Sequence, residues 1–400
     1  MRFLSAATLS TLFFLGCGGG GETGTGGAGG TSTGTPEPDC KANADCSSTP
    51  ETPYCDGAVG ECTAPPAGGP LGWGDGSPSS VMLTLILEED KLRNAVDLEF
   101  NPSNPAELWV VNQKDDSVII VQNPGTPDIK WNRKHDPDAM HFMHRPPAIA
   151  FGAMVPTWNQ TFGTCGDGDN GGNDFMGPAL FSADPAVFAK STPGGLGSHL
   201  DMLHSTTFCR GIAHQEANVY WVFNSTKRSL DKYDFGDDHG PGNEDHSDGK
   251  IYRYVPGQIS GVDGIPSHLF YRVEDAQLYV ADTGNKRIAK LDTTTGTPGS
   301  KFSGQESIAL RETMKDATFV DFVPPGTLEA PSGIEAHGEL VYATDNAQSR
   351  LYAFDMSGQV VRTLDTGLAP GSLAGLTFGP DGKVYFVDVL TSRVYRIDPM

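Results

Sequence analysis

The chain has 400 residues, 50 acidic against 28 basic side chains, and a formal charge of -22. That acidity is spread without a basic patch and would repel a phosphate backbone, which argues against nucleic acid as a partner. No stretch supplies the ~18 consecutive apolar residues of a spanning helix, so the expectation is a protein that is exported or anchored rather than transmembrane.

The opening MRFLSAATLSTLFFLGC sets Arg2 before an apolar run and small Gly16 before Cys17. This is the layout of an export signal. FLGC resembles a bacterial lipobox, in which the cysteine becomes the lipidated first residue of the mature chain. The resemblance implies a protein anchored to the cell envelope through Cys17, and Gly18 in place of aspartate is compatible with the outer membrane. The other reading is a secretory signal cleaved elsewhere, with Cys17 incidental. Residues 18–39 are glycine- and threonine-rich, bury almost nothing, and read as a flexible tether. Residues 40–62 hold Cys40, Cys46, Cys55 and Cys62 with no histidine among them. In an oxidising compartment this pattern fits two disulfides better than zinc, with three possible pairings. The segment is similar to small cysteine-rich stalks of bacterial lipoproteins. Residues 63–80 read as a linker. Cys165 and Cys209 remain and are expected to pair with each other.

From residue 81 to the end the chain changes character. ELWVVNQKDDSVIIVQ, NVYWVFNSTKRSLDKYDF, QLYVADTGNKRIAKLD, ELVYATDNAQSRLYAFD and KVYFVDVLTSRVYRID share one plan. Each has an apolar strand, an Asn or Asp, a short polar turn and an alternating second strand. Asn112, Asn224, Asp282, Asp345 and Asp388 hold the equivalent place, where a short polar side chain bonds the reversing backbone. CRGIAH (209–214), PSGIEAH (331–337) and LAGLTFGPDG (373–382) precede the later hairpins, each with a glycine suited to a strand near a crowded axis. The interval from Asn112 to Asn224 is about twice the others and leaves room for one further unit, beginning at RPPAIAFG (145–152). Six such units must pack radially to bury both faces of each sheet. The expected fold is all-β, a six-bladed propeller over 81–400. Residues 81–89 are expected to close the last blade or cross the bottom, a short helix being the competing reading. YVADTGNKRI resembles the hairpin of NHL-repeat and related six-bladed propellers, a superfamily that includes lyases, lactonases, sensors and binding domains.

Candidate chemistry gathers in three histidine-bearing segments. His135, His141 and His144 precede unit two. His199 and His204 precede unit three. His239 and His246 lie in the long polar insertion DDHGPGNEDHSDG. Loops of this kind are expected to converge over the mouth of the central channel. Of these, His141, His144, His204, His239 and His246 are the candidates for a zinc or other transition-metal site, since neutral imidazole suits such ions. The peptidylglycine amidating lyase propeller looks like this fold, which implies metal histidines from several blades; here His144, His204 and His246 stand at roughly such positions. A structural role is the alternative, with His141 and His144 packing on Trp131 and Trp158, and with His214 and His337 as strand residues. GTCGDGDNGGNDFMG (163–177) offers Asp167, Asp169, Asn173 and Asp174 as oxygen ligands for calcium. No dinucleotide or phosphate-loop signature appears, so no nucleotide cofactor is expected. Two functions follow: a cell-envelope lipoprotein binding a small ligand or an envelope protein, or a metal-dependent lyase or hydrolase.

Overall fold

The computed structural model describes residues 69–400, apart from Asn170, Asn173, Gly194, Glu244, Gln305 and Glu306, and two short strands nearer the N-terminus. Those two, Tyr54–Asp56 and Glu61–Thr63, belong to a separate unit and pair antiparallel, with Cys55 opposite Cys62. Cys62 is disulfide-bonded. Cys17, the tether, Cys40 and Cys46 lie outside the described residues.

The second unit is a six-bladed β-propeller. The innermost strands of blades 1 to 6 are Ala95–Phe100, Ile149–Val155, Cys209–Glu216, Leu269–Arg272, Pro331–His337 and Leu373–Phe378. They neighbour one another in ring order, and that of blade 6 returns to that of blade 1. Each blade is an antiparallel meander, so its second strand is packed on both faces. Glu107–Asn112 is buried along its whole length for this reason. A separate apolar cluster fills each junction between neighbouring blades. Between blades 1 and 2, Trp109 is fully buried and meets Phe151 and Phe162 edge-on at 5.4 and 5.1 Å. Truncating such a residue to alanine costs about 3–5 kcal/mol.

The ring is closed by its own N-terminal strand. Val81–Glu88 pairs antiparallel with Arg393–Pro399 and becomes the outermost strand of blade 6. Of the three expectations for this run, blade closure is the one observed; pairing removes an open edge that a helix would leave. The linker assigned to 63–80 needs correction. Leu71 is fully buried among Val81, Leu351, Leu364 and Ile397, so from Gly69 onward this stretch packs on blades 5 and 6.

Asn112, Asn224, Asp282 and Asp345 tie their hairpins to the segment entering the innermost strand, whereas Asp388 bonds the N–H groups of its own turn. Asp345 accepts the Glu329 and Ala330 N–H groups at 2.7 and 3.1 Å. Asn224 donates to the Ser205 carbonyl and accepts from the Lys227 N–H. All five are buried, so these bonds satisfy backbone that water cannot reach. The inner-strand glycines answer to crowding: a Cβ at Gly211 would sit 2.2 Å from the Ser267 carbonyl, and one at Gly333 2.3 Å from that of Ala374.

Two insertions cover outer edges. A blade 4 insertion adds Thr297–Lys301 and Leu310–Lys315 to the outermost strand of blade 3, extending that sheet to six strands. A blade 3 insertion, 235–249, lies along the outermost strand of blade 2, His199–Met202. There the His239 N–H donates to the Leu200 carbonyl and the Gly242 N–H to that of His199.

Candidate functional site: a histidine- and carboxylate-lined edge of blade 2

The strand His199–Met202 carries the site, and a β-bulge at Leu200 decides where its side chains go. Asp201 stands opposite Leu180, which faces blade 3, whereas His199 stands opposite Phe181, which faces blade 1. Regular alternation would send both to one side; the extra residue sends them apart. Immediately after the strand, Ser205 holds a φ of +97°, a conformation costly for a residue with a side chain. Its carbonyl accepts from Arg253 and Asn224, which hold the strained turn beside His204 in place.

Three sequence-distant imidazoles meet here. The His204 ring centroid lies 5.9 Å from that of His141 and 5.3 Å from that of His246. Phe175 stacks on His204 at 4.4 Å and approaches His141 at 4.8 Å. His141 comes from the short helix after blade 1, His204 from the segment entering blade 3, and His246 from the blade 3 insertion. His199 adjoins them, its ring stacked on Phe142 at 3.7 Å. Its Nδ1 lies 2.8 Å from the Leu196 carbonyl, which selects the tautomer with the lone pair on Nε2. Burial pushes the His199 pKa down to about 4, with smaller contributions from His141 and His246, so this imidazole is neutral at pH 7.

A second group adjoins the strand's other face. His239 Nε2 lies 3.4 Å from Asp248 Oδ1 and 3.9 Å from Asp201 Oδ2, and the three ligand atoms all fall within 4.8 Å of one another. Asp201 is fully buried, while His239 and Asp248 are partly so.

Other expected residues stand elsewhere. His144 faces Asp116 at 3.6 Å, and no described ring contact joins it to the imidazole group. Asp167 is buried against Arg210 at 2.6 Å, Asp174 pairs with Lys227 at 2.8 Å, and Asp169 is exposed. Among the described residues these carboxylates do not form a convergent group; Asn173 lies outside them. Cys165 and Cys209 form the expected disulfide, joining blade 2 to the start of blade 3. His214 bonds the Ala217 carbonyl and His337 stacks on Phe378 at 4.1 Å, both as strand residues.

The expected gathering at the channel mouth takes another form: His141, His204, His239 and His246 lie beside the outermost strand of blade 2, because the insertion bearing His239 and His246 docks on that strand, and His144 stands apart. The channel itself holds a cavity of about 240 Å³ lined by Asp97, Glu99, His214, His268, Glu335 and Thr377 among others. Burial pushes the Glu335 pKa up to about 8 and raises those of Glu99 and Asp97. His268 opposes the shift at Asp97, 3.5 Å away. Sequence reading missed these carboxyls, although a charged residue within an otherwise apolar inner strand, as in AVDLEF, is a visible signal. It also missed Asp201.

The fold and its closure define a six-bladed β-propeller. Among solved structures it is similar to an auxiliary nutrient binding protein from Bacteroides ovatus ATCC 8483, at 15% identity and a TM-score of 0.51 over 80% of this chain and 77% of that one. Another such protein, from Bacteroides thetaiotaomicron VPI-5482, shows 12% identity and a TM-score of 0.51 over 77% and 69%. A streptogramin B lyase structure aligns at 11% identity with a TM-score of 0.49 over 80% and 98%, a likeness too slight to carry an argument. At these identities the likeness is one of fold alone. Neither a protein-family model nor a curated protein sequence matches the chain. No described helix is long and apolar enough to cross a membrane.

Proposed function

We propose that the protein is an exported binding propeller that holds a divalent transition-metal ion in the imidazole pocket of blade 2 and takes its ligand there. In this reading Cys17 is lipidated, and the tether and cysteine-rich stalk carry the propeller away from the envelope surface.

The observation that carries the reading is the approach of His141, His204 and His246 from three separate segments. Nitrogens about 2.0–2.1 Å from a tetrahedral ion place ring centroids about 5 Å apart. For the two pairs that include His204 the centroids are 5.3 and 5.9 Å apart, within about 1 Å of that spacing. A neutral, buried His199 beside them supplies a further ligand or a fixed hydrogen-bonding neighbour. A fold similar to that of two Bacteroides auxiliary nutrient binding proteins supports a binding role.

The test uses the chain from Gly18 onward, purified without a histidine tag, loaded with zinc and freed of excess metal. His141→Ala with His204→Ala should lose one equivalent relative to wild type by plasma mass spectrometry. An unchanged zinc content in the folded double variant refutes the assignment.

A further inference from the structure

We propose that Asp201, His239 and Asp248 form a second divalent-metal site, with coordination positions left open for an oxygen of the protein's ligand. It shares no side chain with the imidazole pocket, so it stands whether or not that pocket binds metal.

The geometry is that of ligands around a small cation. Two ligand atoms each about 2.1 Å from an ion and tetrahedrally disposed lie about 3.4 Å apart. His239 Nε2 and Asp248 Oδ1 are 3.4 Å apart, and a displacement of about half an ångström brings Asp201 Oδ2 to the same spacing.

Each ligand is also held from behind. The His239 backbone N–H donates to the Leu200 carbonyl, which fixes the main chain that carries the imidazole. Asp248 Oδ2 accepts the Asp237 N–H at 2.9 Å, which turns Oδ1 toward His239. Gly236 makes this possible: it has a φ of +73°, and a Cβ there would lie 2.3 Å from that same oxygen. Asp201 Oδ1 accepts the Met202 N–H at 2.7 Å, and the Leu200 bulge aims the carboxylate at the insertion. Supports of this kind orient a ligand before the ion arrives and are a normal part of metal sites.

The donor set defines the chemical class. Two carboxylate oxygens and one imidazole suit zinc, manganese or iron(II) over the soft, thiolate-seeking ions. Three protein ligands leave a fourth position, so the ion can polarise a carbonyl or hold a carboxylate or phosphate oxygen of what the propeller binds. On this account the carboxylate site gives the ligand taken at the edge of blade 2 a second point of attachment beside the imidazole pocket.

Cobalt(II) is the probe, because its visible absorption reports coordination directly. Titration of the tag-free chain should fill two classes of site. Asp248→Asn and, separately, His239→Gln should each abolish the cobalt equivalent belonging to this site, or weaken it at least tenfold, while retaining the other. Both residues are partly exposed, so these variants are expected to keep the wild-type melting temperature. In the reciprocal experiment, His141→Ala with His204→Ala removes the imidazole equivalent and leaves the absorption sensitive to Asp248→Asn. If both Asp248→Asn and His239→Gln bind cobalt with wild-type stoichiometry and affinity, the site is overturned. Loss in these variants with none in the histidine pair supports this site and refutes the imidazole pocket alone.

Discussion

Replacing Cys165 and Cys209 by alanine opens a loop with a sequence separation of 44 residues. In the chain-entropy treatment, a crosslink closing a loop of that size removes about 13 cal/mol/K from the unfolded chain, or about 4 kcal/mol at 25 °C. The lost packing adds to this, since both sulfurs are buried among Leu200, Leu203, Ile212 and Tyr220. The loop is also the segment that carries His199, Asp201 and His204, so the disulfide pins both ends of the proposed metal-binding edge. Urea unfolding followed by tryptophan fluorescence should show the double variant less stable by about 4 kcal/mol. It should also release bound zinc faster than wild type. A variant within about 1 kcal/mol of wild type, with unchanged zinc release, would refute the reasoning that this crosslink stabilises blade 2 on blade 3.

Acid should weaken the same region through His199. Burial lowers its folded pKa to about 4 from 6.5, so the unfolded chain takes up the proton first as pH falls. The contribution is intact above about pH 6.5 and is lost as pH drops toward 4, about 3 kcal/mol in all. Urea unfolding in the presence of a chelator should show that loss in wild type and a much flatter profile in His199→Phe; equal slopes would contradict it. Removal of the closing strand is a third perturbation. A chain starting at Asp90 exposes the Arg393–Pro399 edge and loses the buried Val81, Ile86 and Leu87. It should aggregate on gel filtration, whereas a chain starting at Gly69 stays monodisperse; a soluble Asp90 form with wild-type melting would count against ring closure as the stabilising feature.

The architecture was legible because it repeats. The strand, Asn or Asp, turn, strand plan recurs at five places, and its polar residue accepts the N–H three residues on at Asn224 as at Asp345. Blade 2 could be counted only by interval. Its equivalent position is Thr164, whose hydroxyl bonds the Ala148 carbonyl in place of a carboxylate or amide. The site was legible in part. The histidine-bearing segments were plain, and His141, His204 and His246 do come together. Their location was not, since it depends on a four-residue strand with a bulge and on an insertion from the next blade that pairs with it. Both are non-local, and the polar–apolar alternation of His199–Met202 runs for only four residues, too short to announce a strand. Asp201 escaped notice for the same reason. In the acidic loop at 163–177, composition shows the carboxylates but not the Arg210 that meets Asp167 or the Lys227 that meets Asp174.

X-ray absorption at the zinc edge, on the tag-free chain from Gly18 loaded with zinc, reads whether the outer edge of blade 2 holds metal through its histidines and carboxylates. The zinc should be surrounded by nitrogen and oxygen near 2.0–2.1 Å with the outer-shell scattering of imidazole, and this signal should be lost when His204 and Asp248 are both replaced. A protein that retains no zinc after reconstitution, or whose zinc shows no imidazole scattering, refutes metal binding at this edge.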